Sequence, residues 1–246
     1  MTDESGSLVK AHSMAKIVVL DIETVPNPYM QCFLPPFVTP TAEDKPGNIS
    51  KQATIEKWIV NESKKRLDAY EASIGRMALD VDFARIDAIA YKVVDYAGKA
   101  TEVAMLAPNL IAEADMLRQF WTAMRAMGTP RLCGYNILGF DLPVITRRSW
   151  VLGVEPIRYK ARRYSDEQVI DVMQLLYNWG QAPLQKSGKY RSLKSVCEMY
   201  GIHNPLPEIH GGLYADLDDE TKLAYNKNDV DMTWDLAFRM YGVYWS

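Results

Sequence analysis

Lys16 to Leu20 is an apolar, β-branched run in the segment KIVVLDIETVP. That composition predicts a strand over residues 16–24, buried on both faces. The prolines of residues 25–48 forbid a regular element. Residues 50–78 are rich in helix formers and charge, which predicts one or two exposed helices. Strand patterns return at 84–94 and 101–106, joined by a turn at Ala97-Gly98. Leu117, Phe120, Trp121 and Met124 repeat at helical spacing within 113–127, closed by Gly128 and Pro130. A short strand over 131–136 leads to a helix over 142–152 with Pro143 in its first turn. Residues 169–176 fit a strand or a short helix. A helix over 192–200 ends at Gly201, and the last runs over 218–241 with an inner stripe of Val230, Trp234, Ala237 and Tyr241. Strands followed by helix–strand alternation predict an α/β fold, a mixed sheet flanked by helices on both faces. The expected organisation is a loose tail at 1–15 and one domain over 16–246, with a Pro-rich and helical insertion at 25–79.

The polar positions that break this pattern are acids. Asp21 and Glu23 end the first strand two residues apart, so both project to one side. Like charges about 4 Å apart repel by roughly 1 to 4 kcal/mol, depending on the effective dielectric. Asp141 follows a short strand in GYNILGFDLPVI, at the mouth of a helix. Tyr225 and Asp229 lie four apart in LAYNKNDVDMTWDL, on one face of the last helix. Singly, each has an ordinary reading: a polar loop start, a helix N-cap, a surface contact. As an ordered set on those elements they ask for a common cause.

Bulk composition narrows the classes. The 246 residues are 48% hydrophobic and 24% charged, enough for a sizeable core. A net charge of -3 supplies no global basic field, so attraction to nucleic acid would need local patches or bound cations. Cys32, Cys133 and Cys197 form neither a disulfide framework nor a zinc pattern, which points to a reducing compartment. No apolar run approaches a membrane span, and the polar start lacks a signal peptide's apolar core. The expectation is a cytoplasmic protein.

The ordered set (strand-end Asp-x-Glu, Asn-(x)3-Phe-Asp-x-Pro, Tyr-(x)3-Asp) resembles the three motifs of the DEDD superfamily of 3'-to-5' exonucleases. It is similar to the proofreading domain of family B DNA polymerases and to related stand-alone exonucleases. The likeness spans roughly residues 16–238 and implies a ribonuclease H-like sheet. It implies that Asp21, Glu23, Asp141 and Asp229 are catalytic and hold two Mg2+ or Mn2+ ions, hard cations suited to carboxylate oxygens. By that likeness Asp21 bridges the ions, Glu23 and Asp229 hold the first, and Asp141 supports the second. Tyr225 would mark the tyrosine subtype; a histidine subtype would carry His at position 224, which is Ala224. With a phenol pKa near ~10, Tyr225 suits positioning of water better than general-base work. Thr24 and Asn136 would lie near the terminal nucleotide. Phe140 offers a stacking ring or a core aromatic.

Two basic, aromatic loops, at residues 158–164 and 186–191, suit a single strand, and equally a solvated surface. Asp171 is assigned to structural support, and His12, His203 and His210 to polar loops. The implied activity is removal of nucleoside monophosphates from the 3' end of single-stranded DNA. An RNA exonuclease shares the same site, since the 2'-OH contact that separates the two has no motif here. An idle nucleic-acid-binding scaffold is the other alternative, which the complete acid set opposes. Proofreading would require a replication or repair partner protein, because the chain has no room for a polymerase domain.

Overall fold

The computed structural model describes residues 16–95, 99–107, 112–162, 164–180, 191–206, 214 and 217–242. The expected Ala97-Gly98 turn, His12, His210 and most of the 186–191 loop lie outside the described residues. Strand β1 (Ile17–Pro26) is followed by helix α1 (Gln52–Met77), strands β2 (Ala84–Val94) and β3 (Ala104–Leu106), and helix α2 (Glu113–Ala126). Then come β4 (Arg131–Gly134), α3 (Asp141–Val151), β5 (Val169–Asp171), α4 (Val172–Leu176), α5 (Leu193–Met199) and α6 (Asp219–Gly242). The chain divides into two compact units: one from Ile86 onward together with the start of β1 up to Glu23, the other Thr24–Arg85.

The five strands form one sheet in the order β3-β2-β1-β4-β5. β4 runs parallel to β1, with Val18 opposite Leu132 and Val19 opposite Cys133. β5 runs parallel to β4, and β3 is antiparallel to β2, with Ile89 opposite Leu106. The sheet is therefore mixed, as the alternation of elements requires. β1 is central, and Ile17, Val18, Val19 and Leu20 are all buried, which is why an unbroken apolar run and not an alternating one encodes it.

Successive side chains of β1 serve opposite layers. Ile17 and Val19 join Val196 and Cys197 of α5 and Val230, Met232, Leu236 and Ala237 of α6 in one core. Lys92 of β2 pairs with Asp231 of α6 at 2.7 Å on that side. Its neighbour Tyr91 points the other way and meets Phe120 of α2, ring centroids 6.0 Å apart. α2 and α3 are locked by Arg148, which grips Glu113 with two bonds of 2.8 and 2.7 Å. Glu113 also accepts the Ile86 backbone N–H, and Trp121 donates to Ser149 at 2.8 Å. The fully buried Phe120, Trp121, Met124 and Leu117 complete the stripe read from the sequence. Each such side chain contributes about 1.5–3 kcal/mol by leaving water.

In the Thr24–Arg85 unit the expected exposed helical stretch is a single 26-residue helix, α1, of which only Ile55 and Met77 are buried. The Pro-rich stretch holds two short 3-10 turns, Pro28–Phe33 and Ala42–Asp44. Asn27 caps the first through the Tyr29 N–H. Phe37 packs on Tyr70, and Arg66 bonds Glu62 and the Val38 carbonyl.

Four local expectations change. β3 is Ala104–Leu106, shorter than 101–106. β4 stops at Gly134 because Asn136 turns to a positive φ of 60°. Residues 169–176 are both things in succession, strand β5 and then helix α4. On α6, Met232, Thr233 and Leu236 are buried whereas Trp234 is half-buried, so the inner face is wider than the expected stripe.

Candidate metal centre and active site

The parallel pairing of β1 and β4 brings both strands to the same end of the sheet. Beyond the paired residues β1 carries Asp21 and Glu23, and beyond β4 a tight loop leads to Asp141 in the first turn of α3. That loop is fixed from below by Asp171 at the end of β5. Its carboxylate accepts the N–H groups of Asn136 (3.2 Å), Leu138 (3.0 Å) and Gln174 (3.1 Å), so it caps α4 and holds the loop together. A Cβ at Gly139 would come within 2.4 Å of the Asn136 Oδ1, so any larger residue there would have to turn the Asn136 side chain away. Asp171 thus supports the structure and lies one step removed from the cluster.

Carboxylate oxygens of Asp21, Glu23 and Asp229 all lie within 4.8 Å of one another. Asp21 and Glu23 are half-buried and Asp229 is buried. Asp141 is also buried and accepts the Ile22 N–H through Oδ1 at 3.2 Å, which ties α3 to the strand residue between the two β1 acids. The N-cap position of α3 is Phe140 and Asp141 is the first helical residue, so Asp141 is not a side-chain N-cap.

Each of the four acids holds its proton more tightly than it would in water. Burial, then the charges of Asp141, Glu23 and Asp229, raise Asp21 well above the ordinary carboxylate range, opposed by Lys194. Burial, then Asp229 and Asp141, push Glu23 up to about 8, again against Lys194. Asp141 is pushed up to about 7 by burial, against bonds from its own N–H and that of Ile22. Burial raises Asp229 too, resisted by Lys194 and by hydrogen bonds from Asn228 and Tyr225.

Lys194 was not singled out from the sequence. Its Nζ is buried without a hydrogen-bond partner, 3.8 Å from Asp229 Oδ1 and 3.7 Å above the centre of the Tyr225 ring. The ammonium therefore acts by charge and by the face of the ring. The available signal was its spacing: Lys194 lies three residues before buried Cys197, on the inward stripe of α5. Asn228, also missed, donates to Asn204 (3.1 Å) and Asp229 (3.3 Å). A recess of about 490 Å3 opens beside Lys194, lined also by Ser195, His203 and Asn204.

Of the residues expected to meet substrate, Asn136 and Phe140 are half-buried on the loop before α3. Thr24 is buried, and its hydroxyl donates to the Ala78 carbonyl. The donor set is all carboxylate oxygen, mutually repelling and partly dehydrated, which fits a hard divalent cation.

Among solved structures, the chain is similar to the family B DNA polymerase of the hyperthermophilic archaeon Pyrobaculum calidifontis. There the TM-score is 0.53 at 17% identity, over 92% of this chain and 24% of that one. It is also similar to product-bound exonuclease I (TM-score 0.46, 12% identity, 94% of this chain and 44% of that one). With E. coli exonuclease I in complex with a dT13 oligonucleotide, the values are 0.43, 12%, 92% and 40%. The chain thus spans about a quarter of the polymerase and under half of exonuclease I. No curated protein matches the sequence. The architecture is a ribonuclease H-like α/β sheet of the exonuclease kind. Residues 78–241 match the family of predicted 3'-5' exonucleases related to the exonuclease domain of PolB, and the chain belongs to that family. That family is one of nucleases of the DEDD type, phosphodiester hydrolases that use divalent metal. Asp141, Tyr225 and Asp229 fall within the matched span; Asp21 and Glu23 precede it. Among the described residues no helix is long and apolar enough to cross a membrane.

Proposed function

We propose that this chain shortens single-stranded DNA from its 3' end, one nucleoside monophosphate at a time, with two Mg2+ or Mn2+ ions at the Asp21–Glu23–Asp229 cluster. The observation that carries this reading is the approach of those three carboxylates to within 4.8 Å while burial and mutual repulsion raise their proton affinity. Such an arrangement costs stability unless a cation offsets it. Asp21, Glu23 and Asp229 would hold one ion, and Asp21 with Asp141 the second. When bound, the pair supplies Lewis-acid activation of water and stabilises charge on the leaving 3' oxygen.

The chain's own residues supply position. The Tyr225 hydroxyl, already bonded to Asp229, is placed to orient the attacking water, and it makes this a tyrosine-subtype site. Lys194 limits the charge of the cluster and fixes the Tyr225 ring. Asp171 keeps the Asn136–Phe140 loop in place, so that Asn136 and Phe140 can meet the terminal nucleotide. The organisation that goes with this reading is one exonuclease domain over residues 16–246 carrying a 25–79 insertion, working in the cytoplasm with a replication or repair partner protein.

The test is incubation with 5'-labelled single-stranded DNA and RNA, with and without Mg2+. Stepwise 3' shortening of DNA only with the ion is expected. Binding without cleavage under every condition would sink the reading, and preferential cleavage of RNA would reassign the substrate.

A further inference from the structure

Away from the acid cluster, the segment leading into β5 gathers cations and rings on one surface. Arg158, Lys160 and Arg162 are all exposed, while Tyr159 between them turns inward against Trp121, ring centroids 6.5 Å apart. Among the described residues none of the three cations has a carboxylate within ion-pairing distance. Asp166, the nearest acid that follows, is drawn to Arg131 at 3.5 Å. Tyr164 is 66% exposed and meets the half-buried Trp179, at 5.9 Å between ring centroids and 59° between planes.

The backbone that presents these rings is unusual. Tyr164, Asn178 and Trp179 take positive φ values of 65°, 50° and 57°, a region that L side chains rarely occupy. Such conformations cost about 1–3 kcal/mol each and cluster where function needs a side chain aimed against its preference. Both halves of the aromatic pair are held in this way, from two separate segments. A merely solvated face would need neither the pair nor the strain.

We infer that Arg158, Lys160 and Arg162 with the Tyr164–Trp179 pair form a binding platform for single-stranded polynucleotide, separate from the acid cluster. Cations track phosphates and an exposed ring stacks an unpaired base, a combination that tolerates any sequence. Residues 158–162 and Tyr164 precede β5, and the Lys160 N–H bonds the Gln168 side chain just before it, so this segment lies at the opposite end of that strand from Asp171 and the site loop. The platform therefore engages the strand away from the 3' end being cleaved. This inference rests on the proposed nuclease function for its choice of ligand.

The test measures binding of 5'-fluorescein dT20 and dT4 by anisotropy in chelator, where no cleavage intervenes, with melting midpoints as folding controls. The wild type should bind dT20 at least ~10-fold tighter than dT4. Tyr164→Ala should weaken dT20 roughly 5-fold or more, the lower end of one lost stack, whereas Tyr164→Phe keeps the ring and the affinity. Each phosphate contact on a single strand adds about 0.7 to the slope of log K against log salt. The triple variant Arg158→Gln, Lys160→Gln, Arg162→Gln should therefore lower that slope by about 2. A dT20 affinity or salt slope untouched in either variant overturns the platform, as does a 20-base-pair duplex that binds as well as dT20. The two proposals fail separately. Binding through these residues without any cleavage refutes the function assigned to the acid cluster and leaves the platform standing. Cleavage by a wild type whose dT20 affinity ignores both variants refutes the platform alone.

Discussion

Replacing Asp21 by asparagine keeps the shape of the side chain and removes one charge from the cluster. Two like charges 4.8 Å apart repel by about 3 kcal/mol at an effective dielectric of 20, and Lys194 offsets part of that. A net gain of about 1–3 kcal/mol is therefore expected for Asp21→Asn in the absence of divalent ions. For a chain of 246 residues this corresponds to a melting midpoint roughly 2–12 °C higher. The gain must depend on pH with a definite sign. Glu23 has its folded pKa raised from 4.5 to about 8. Between those values the unfolded chain has lost the proton that the folded site still holds, so wild-type stability falls as pH rises through this window. Below about pH 3.8 the acids are protonated in both states and the advantage of Asp21→Asn vanishes. It is largest at and above about pH 8. Calorimetry in chelator at pH 5 and pH 8.5, repeated with excess Mg2+, reads all of this. The ion should raise the wild-type midpoint, more at pH 8.5 because it competes with protons, and should raise the variant less. An Asp21→Asn protein less stable than wild type in chelator at pH 8.5, or an advantage independent of pH, would refute the stored repulsion.

Asp21→Asn and Asp229→Asn should each lower the Mg2+-dependent cleavage rate of 5'-labelled single-stranded DNA by roughly 100-fold or more. Tyr225→Phe should cost less, and an equal loss would end its positioning role. Lys194→Met removes the cation that opposes the raised pKa of Asp21, Glu23 and Asp229, so the metal-free protein should lose stability at pH 8.5 relative to pH 5 more steeply than wild type; an unchanged pH profile in calorimetry would count against that role. Asp141→Ala and Asp141→Asn both remove its negative charge from the Ile22 N–H. If Mg2+ shifts the melting midpoints of both variants as much as wild type, Asp141 belongs to the fold and not to the metal site.

Elements whose side chains answer to one local rule were readable along the chain. β1 showed itself because a central strand needs apolar residues on both faces, and α2 because its buried stripe repeats at helical spacing. The two-residue spacing of Asp21 and Glu23 put both acids on one side, and they do converge with Asp229. Boundaries set by a partner were not readable. β4 ends two residues early because Asp171, from another strand, draws the N–H groups of Asn136 and Leu138 into a turn. The inner face of α6 takes in Met232, Thr233 and Leu236 beside the expected Val230 and Ala237, and Trp234 packs half-buried against the same core. Helical spacing alone does not give the width of that face; the core against α5 and the sheet does.

Lys194 shows why a charge balance is harder to read than a motif. A lysine at the start of a seven-residue helix capped by Ser192 looks like an exposed solubilising residue. It turns inward only because the first turn of α5 meets the face of α6 that carries Tyr225 and Asp229, a contact between segments 31 and more residues apart. Nothing in the sequence near Lys194 records that neighbour. Yet the acids make a cation there necessary: three carboxylates within 4.8 Å and a fourth nearby would otherwise face one another with no fixed opposing charge. The Lys194 side chain over the Tyr225 ring lowers that repulsion without filling the space among the oxygens, because at 3.8 Å it approaches Asp229 but does not bond to it. On the function proposed above, the cluster can then fold before any divalent ion arrives and still bind one afterwards.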